Sequence, residues 1–334
     1  MSLKAAVTDK GAVLLGRHVA CDAFEASKPL RVVTHAHADH MIGLRKSLRS
    51  CEKILMTCAT KDLIDVMRGS LFLMGGFVET LEYGRTMRYE EENITFFAAD
   101  HILGAAQVFV EDAEGTRISY TGDFKIEGTP VLETDILVME ATYGSPSCRR
   151  SFDENVRTLL VSMVEKGLKH GAVYVFGYHG KLQEAMQILR ESGVKAPFVA
   201  PEKVFHVSKI CEKHGMRLGK LIRLEDGEAR ELIKRNGSCV AFYHMNSRAK
   251  TGSVSGFKII VSGWEFNSPC RETTEKEYVV ALSDHSDFDG LMEYVRLSRP
   301  KLVVVDNFRV GHAESLAREI RRRFNISAFA SPKK

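Results

Sequence analysis

The chain has 334 residues, 44% of them hydrophobic, and a formal net charge of +4. This length suits two domains or one large α/β unit, and the seven scattered cysteines exclude a zinc finger or a disulfide framework. No apolar run reaches the ~20 residues that cross a membrane, and no secretion signal opens the chain, so we expect a cytoplasmic protein without a membrane partner.

Short strands separated by turns are predicted in the first 140 residues. A hairpin over 5–15 opens the chain, with Asp9-Lys10-Gly11 as its turn. The apolar strand 31–34 leads directly into a histidine-rich run, and a helix is predicted from Met41. The remaining predictions are strands at 17–21, 53–57, 86–89, 94–98, 106–111, 117–120 and 135–140, and a helix at 59–68.

Helices and strands alternate from about residue 152, which predicts a small parallel sheet. A layered α/β pattern resumes from residue 277. The predicted helices are 152–166, 181–191, 203–214, 287–297 and 313–324, and the strands are 172–176, 197–200, 240–243, 258–261, 277–282, 302–305 and 327–330.

Four potential metal ligands follow strand 31–34 within six residues, namely His35, His37, Asp39 and His40. Zinc binds imidazole nitrogen and carboxylate oxygen at about 2 Å. Alternation along a strand lets His35 and His37 share a face, and the turn that follows can aim Asp39 and His40 at a neighbouring point. The run therefore predicts one metal or two adjacent metals. A polar loop with chance histidines is the alternative, and four such residues after a strand disfavour it.

Further polar residues stand at the ends of predicted strands, where α/β folds gather their sites. They are His101, Asp123, Glu140 and His285. Each of them alone also fits an ordinary loop or turn. Together with the histidine run they predict a single site, in which the two oxygens of Asp123 can bridge two metals.

The segments HAHADH, ADHILGAAQVFVE, TGDFK and DILVMEATYG resemble the successive motifs of the metallo-β-lactamase superfamily, in its β-CASP nuclease branch. The resemblance spans nearly the whole chain. It implies an α/β fold: a metallo-β-lactamase αββα sandwich made of 1–150 and 266–334, with an α/β β-CASP cap domain inserted at 151–265. The segments LGAAQVFVE, GKLQEAMQIL, VSGWEF and ALSDHSDF are most similar to DNA-ligase-associated exonucleases and to Artemis-type repair nucleases.

The resemblance also implies a two-zinc centre. Its ligands would be His35, His37, His101 and Asp123 for one zinc, and Asp39, His40 and the shared Asp123 for the second. Asp22 would brace the loop by orienting a histidine. RNA-processing enzymes of the branch complete the second site with a histidine, and here Asp306 stands in its place. Either Asp306 supplies an oxygen ligand, or the second metal is weak or exchangeable; Mn²⁺ is an alternative occupant.

This set suits hydrolysis of a phosphodiester, with Asp39, Glu140 and His285 as the predicted catalytic residues. His285, oriented and charged through Glu140, is the candidate general acid that protonates the leaving sugar oxygen.

Two turns are candidate contacts for a substrate phosphate. One is the glycine-bearing turn that ends in Lys181, and the other holds Ser262. Trp264 follows closely and could stack a base, although a lone tryptophan after a strand is as often simply packed.

The predicted function is a zinc nuclease that acts on DNA as an exonuclease in repair or processing. We expect nucleic acid as the substrate, with DNA favoured over RNA, and DNA-repair proteins as partners. One alternative is an RNA 3′-end-processing ribonuclease, which the missing histidine disfavours. A second is a metal-binding scaffold with little activity, which the near-complete motif set disfavours. A small-molecule hydrolase without a cap is disfavoured by the long segment between EATYG and LSDHSDF.

Overall fold

The computed structural model of the protein describes residues 4–69, 73, 77–251 and 256–333. The chain divides into two compact units. The first unit contains residues 1–149 and 285–334, and the second unit contains residues 150–284.

The described residues up to 149 form short strands with two α-helices among them. A 3₁₀ turn over Ala38–His40 precedes the first helix, and another lies at Ile126–Gly128. The strands are β1 (Ala5–Val7), β2 (Val13–Leu15), β3 (Val19–Cys21), β4 (Leu30–Val32), β5 (Lys53–Met56), β6 (Val78–Thr80), β7 (Thr86–Tyr89), β8 (Glu92–Ala98), β9 (Ala106–Glu111), β10 (Arg117–Tyr120) and β11 (Ile136–Met139), and the helices are α1 (Leu44–Ser50) and α2 (Cys58–Arg68).

The second unit alternates helices with strands. Its elements are α3 (Asp153–Leu168), β12 (Val173–Gly177), α4 (Lys181–Glu191), β13 (Phe198–Ala200), α5 (Glu202–Lys213), β14 (Leu221–Arg223), α6 (Gly227–Lys234), β15 (Val240–His244), β16 (Phe257–Val261), β17 (Cys270–Thr274) and β18 (Glu277–Val280). The sheet order is β14-β13-β15-β12-β16-β18-β17, and only the β17–β18 pair is antiparallel. The parallel sheet predicted from the βαβ alternation is therefore present.

The chain then returns to the first unit with α7 (Phe288–Ser298), β19 (Leu302–Asp306), α8 (Ala313–Phe324) and β20 (Ser327–Ser331). None of the helices in the described part of the chain is long and apolar enough to cross a membrane.

The described strands of the first unit form two sheets, in the orders β1-β2-β3-β4-β5-β6 and β20-β19-β11-β10-β9-β8-β7. Residues of both sheets share one buried core, with Val13 and Leu15 from the first sheet and Phe96, Val108 and Ile118 from the second. Helix α8 packs on β19 and β20. The predicted mixed α/β fold, a two-sheet sandwich with a further α/β unit, is confirmed.

The domain limits predicted from the sequence stay predictions. In the structure, β17 and β18 follow residue 265 and pair with the sheet of the second unit.

Some elements differ from the sequence-based expectations. The helix expected from Met41 begins at Leu44, because the 3₁₀ turn comes first and Gly43 adopts a left-handed conformation at the helix start (φ 69°). Strands β6, β14 and β17 and helix α6 were not predicted. Strands β6 and β14 have three residues each, and β17 is a largely exposed polar strand, so none of them carries a clear hydrophobic period.

Strand ends of the two sheets position the polar residues of the first unit. Strands β3 and β4 run parallel, as do β10, β11 and β19. A backbone hydrogen bond of 3.0 Å from Ala106 to Thr34 joins the two sheets at this point. The residues that follow or end these five strands include Asp22, His35, Asp123, Glu140 and Asp306.

Candidate metal centre

Three histidines and an aspartate form a compact group in the first unit. The candidate ligand atoms of His35, His37, His101 and Asp123 all lie within 4.8 Å of one another. Asp123 Oδ2 is 3.6 Å from His35 Nε2 and 3.7 Å from His101 Nε2. His101 Nε2 and His37 Nδ1 are 3.0 Å apart. The structure thus brings together the four residues predicted for the first metal, and their role as ligands stays a prediction.

A glycine turn delivers Asp123 to this group. Gly122 follows β10 with φ 57°, in the left-handed region that favours glycine. A Cβ atom there would lie 3.1 Å from the carbonyl oxygen of Ala106. Another residue at this position would strain the turn and displace the carboxylate.

One buried histidine nitrogen in this group of four residues has no hydrogen-bond partner among the described residues. His35 is fully buried, and its Nε2 makes no hydrogen bond. A buried polar atom without a partner is costly, and such atoms are rare in native proteins. A divalent cation beside Asp123 would satisfy this nitrogen and the carboxylate together, so the donor set fits a metal ion.

Burial and mutual charge set the protonation of these residues. Burial lowers the pKa of His35 well below its usual value, and repulsion from His40 and His101 adds to the effect. His35 is therefore a neutral imidazole, the form that binds metals. Burial opposes ionisation of Asp123, but His40 and the other histidines hold its pKa well below the ordinary range. Burial and Arg309 also oppose a charge on His40, yet Asp123 and Asp22 raise its pKa to about 10.

Asp39 and His40, predicted for the second metal, are less closely assembled. His40 Nε2 lies 3.2 Å from Asp123 Oδ2 and 3.6 Å from Asp39 Oδ2, and the Asp39 side chain is 59% exposed. Within the described ranges, no group of three or more candidate ligands within 4.8 Å of one another includes Asp39 or His40. The predicted ligands of the first metal are therefore already close together, whereas those of the second metal are less completely assembled.

Asp22 contacts both sides of the histidine run. Its Oδ2 is 2.8 Å from His40 Nδ1, and its Oδ1 accepts the backbone N–H of Thr34 at 2.9 Å. The Thr34 hydroxyl hydrogen-bonds to Asp22 at 2.9 Å and lies 3.1 Å from His35 Nδ1. Asp22 thus orients His40 directly and His35 through Thr34, which are the contacts expected of a residue that fixes metal ligands.

His285 and Glu140 are paired beside Asp123. His285 Nδ1 lies 3.0 Å from each carboxylate oxygen of Glu140. Glu140 Oε1 also accepts the backbone N–H of Phe124 at 2.9 Å, and Ser286 donates its N–H to the Phe124 carbonyl at 2.7 Å. Candidate ligand atoms of Asp123, Glu140 and His285 lie within 4.8 Å of one another. The structure therefore places the predicted acid and its partner next to the predicted metal ligands.

Asp306, also predicted as a ligand, has other partners in the structure. Its Oδ2 accepts Nη1 of Arg309 at 2.5 Å, and its Oδ1 accepts the backbone N–H of Phe308 at 2.8 Å. Among the described residues, it belongs to no group of three candidate metal ligands. A role in metal binding stays a prediction for this residue.

The two predicted phosphate contacts lie in the second unit, after the neighbouring parallel strands β12 and β16. Lys181 is nearly buried and forms an ion pair of 2.8 Å with Asp284. The Ser262 hydroxyl accepts the N–H of Trp264 at 3.2 Å, and the Trp264 side chain is exposed. Their contact with a substrate stays a prediction.

Two arginines of the site were not predicted. Arg31 donates to the carbonyl oxygen of His40, and Arg309 donates to that of Asp39. The sequence did offer a signal for Arg31, because it is a charged residue inside the otherwise apolar strand before the histidine run. Nothing in the local sequence indicates where Arg309 points.

The comparisons with curated proteins found relatives of several kinds. A protein of Acidianus ambivalens described as an "uncharacterized protein in lig 3′region" is 44% identical over 138 residues, which are 41% of this chain and 99% of that protein. A probable DNA ligase of Opitutus terrae is 24% identical over 87% of this chain and 28% of the ligase. An RNase J-like protein of Methanocaldococcus jannaschii is 30% identical over 57% of this chain and 51% of that protein.

The chain thus spans about half or less of the length of the last two relatives. No family model matches the chain. Among solved structures, a protein of unknown function from Enterococcus faecalis has a TM-score of 0.59 at 13% identity, covering 90% of this chain and 78% of that one. This likeness supports the overall fold.

Proposed function

Because the chain belongs to the β-CASP nuclease branch of the metallo-β-lactamase superfamily, we propose that it is a metal-dependent phosphodiester hydrolase acting on nucleic acid. The observation that carries this proposal is the preassembled group of His35, His37, His101 and Asp123, with the His285–Glu140 pair beside it.

We propose zinc as the metal, because three imidazoles and one carboxylate are the donors that it prefers. The first ion would be held by the preassembled group. A second ion would draw on Asp39, His40 and Asp123. A bound divalent cation supplies Lewis acidity and neutralises charge on the phosphodiester.

The protein's own residues move the proton. Glu140 holds His285 at Nδ1, so that Nε2 is the nitrogen that delivers a proton to the leaving sugar oxygen. A neighbouring carboxylate favours the charged imidazolium that this step requires. The backbone N–H groups of Phe124 and Thr142 fix Glu140 in turn, at 2.9 and 3.4 Å.

RNA cleavage is a second candidate function beside the DNA cleavage predicted from the sequence. Most of the named relatives favour RNA, because they include an RNase J-like protein and several endoribonucleases, whereas the DNA ligase among the relatives favours DNA. Asp306 stands where the RNA-processing enzymes of the branch have a histidine, and this difference supports the DNA enzyme.

The experiment that tests this proposal offers the purified protein both polymers side by side. End-labelled single-stranded DNA, duplex DNA and RNA, each with a 5′ or a 3′ phosphate, are incubated with Zn²⁺ or Mn²⁺. We expect cleavage of at least one polymer, its abolition in Asp39→Asn, and wild-type activity in His206→Ala, which alters an exposed histidine of the second unit. Cleavage of RNA alone would refute the DNA assignment. A metal-loaded protein that cleaves none of them contradicts the nuclease proposal and supports a scaffold.

A further inference from the structure

Two arginines hold consecutive carbonyl groups of the turn that carries Asp39 and His40. Arg31 Nη2 donates to the carbonyl oxygen of His40 at 3.1 Å, and Arg309 Nη2 donates to that of Asp39 at 3.2 Å. The Arg31 residue is 1% exposed and the Arg309 side chain 9% exposed. Hydrogen bonds from buried guanidinium groups fix backbone carbonyls firmly, because breaking them would leave a buried positive charge without a hydrogen-bond partner.

Asp306 in turn holds Arg309. Its Oδ2 accepts Nη1 at 2.5 Å, while its Oδ1 is occupied by backbone N–H groups of Phe308 and Arg309 at 2.8 and 3.4 Å. The Asp306 side chain is 2% exposed, so water reaches neither oxygen freely. Both oxygens therefore already accept hydrogen bonds, and Oδ2 is the oxygen that loss of the guanidinium would free for a metal.

Arg309 also places a permanent positive charge at this side of the site. A guanidinium stays charged at any ordinary pH. Besides Asp306, both Asp22 and Asp123 interact electrostatically with the Arg309 guanidinium. A second divalent cation near Asp39 would be repelled by this charge, whereas the four residues of the preassembled group already face one another.

We propose that Arg309, locked by Asp306, stands in for the second metal ion. It positions the Asp39–His40 turn and supplies the positive charge there, so that the chain binds one divalent ion tightly. Arg309 is then a positioning residue, and Asp306 acts through it. This inference rests on the metal centre proposed above.

Metal stoichiometry tests the inference directly. Metal-free protein is titrated with Zn²⁺ by calorimetry, and retained zinc is counted after dialysis. We expect one tight equivalent for the wild type. Arg309→Met removes the charge and releases the Asp306 carboxylate, so a second equivalent should bind at least tenfold more tightly than in the wild type. The double variant Arg309→Met/Asp306→Asn should lose this gain.

Two control variants separate this effect from a general loss of charge. Arg309→Lys keeps the charge and should keep a single equivalent. Arg31→Met removes the other arginine, which donates to the carbonyl oxygen of His40, and should gain no second equivalent. Circular dichroism confirms that each variant is folded.

The wild-type titration alone can overturn the inference, even if the variants do not fold. Two equivalents of similar affinity would contradict the role of Arg309 and leave the metal centre standing. No bound metal at all would contradict the metal centre itself. A folded Arg309→Met with no stronger second equivalent, or a gain in Arg31→Met, would also refute the inference.

Discussion

One carboxylate, that of Asp22, contacts His40 directly and reaches His35 through the Thr34 hydroxyl. Asp22 sits at φ 65°, a left-handed conformation that aspartate and asparagine tolerate better than most residues. Residue 22 therefore adopts a left-handed backbone conformation and also accepts hydrogen bonds through its carboxylate. A substitution that keeps the backbone conformation but changes the carboxylate tests the side chain alone.

We expect Asp22→Asn to lower zinc affinity by about 10–100-fold. The amide keeps the backbone conformation, but its NH2 group replaces one acceptor oxygen, so that either His40 or Thr34 loses its acceptor. Competition with a chromophoric chelator measures this. Asp9→Asn, at an exposed turn, is the matched control and should bind as the wild type does. Unchanged affinity in Asp22→Asn would show that the histidines need no such support.

His285→Ala should lower the turnover rate by about 10²–10⁴-fold and leave the bound zinc unchanged, because we propose His285 as the proton donor and not as a metal ligand. Turnover on the cleaved polymer and zinc content are measured on the same sample. Glu140→Gln should lower turnover as well, since it weakens the contact at Nδ1. A loss of zinc in His285→Ala would instead make His285 a metal ligand.

The preassembled ligand group could be predicted because each member follows an apolar strand, which fixes where its side chain emerges. Asp306 was singled out by the family resemblance, yet its partner Arg309 was not predicted. An ion pair three residues along a loop depends on how that loop turns, and no hydrophobic period records this. The residues that position the candidate metal ligands are therefore harder to predict from the sequence than the candidate ligands themselves.

At the scale of elements, Arg190 near the end of α4 ties together the segments around β13 and β14. Its guanidinium donates to four carbonyl oxygens at 2.7–3.0 Å and lies over the Phe198 ring at 3.4 Å. The four acceptors are Leu218, Val194, Ala196 and Lys220.

We expect Arg190→Ala to lower the free energy of unfolding of the second unit by about 2–3 kcal/mol, because several carbonyls lose their donor at once. Arg190→Lys should recover only part of this, since an ammonium group lacks the planar fork. Urea unfolding followed by circular dichroism measures both. Arg157→Ala, which breaks an exposed pair with Glu191, should change stability by less than about 0.5 kcal/mol. A similar loss in Arg157→Ala and Arg190→Ala would contradict this assignment.

The elements that could be predicted are those with a clear period. Strands β8 and β9 and helices α2 and α4 lie close to their predicted positions, because their apolar residues repeat at strand or helix spacing. Strand β17 was missed because it is polar and pairs only with β18 at the sheet edge. Its existence depends on its neighbour in the sheet, which local sequence does not reveal.

At the scale of the whole molecule, the predicted metal ligands all belong to the first unit. A ligand at 100 times its Kd stabilises the folded state by about 2.7 kcal/mol. We therefore expect removal of zinc with a chelator to lower the unfolding temperature of the first unit and to leave that of the second unchanged. Calorimetry before and after chelation, with zinc restored as the control, measures this. Equal shifts of both transitions would contradict an effect confined to one unit.

The composition of the two units offers a means of observing them separately. Trp264 is the single tryptophan of the chain, belongs to the second unit and is 49% exposed. Light absorbed only by tryptophan therefore makes the chain's fluorescence report on the second unit, while the first unit gives no signal with this probe. A nucleobase that stacks on the indole ring would quench the emission directly. The single tryptophan is thus an intrinsic fluorescent probe close in the chain to Ser262, a predicted contact for the substrate phosphate.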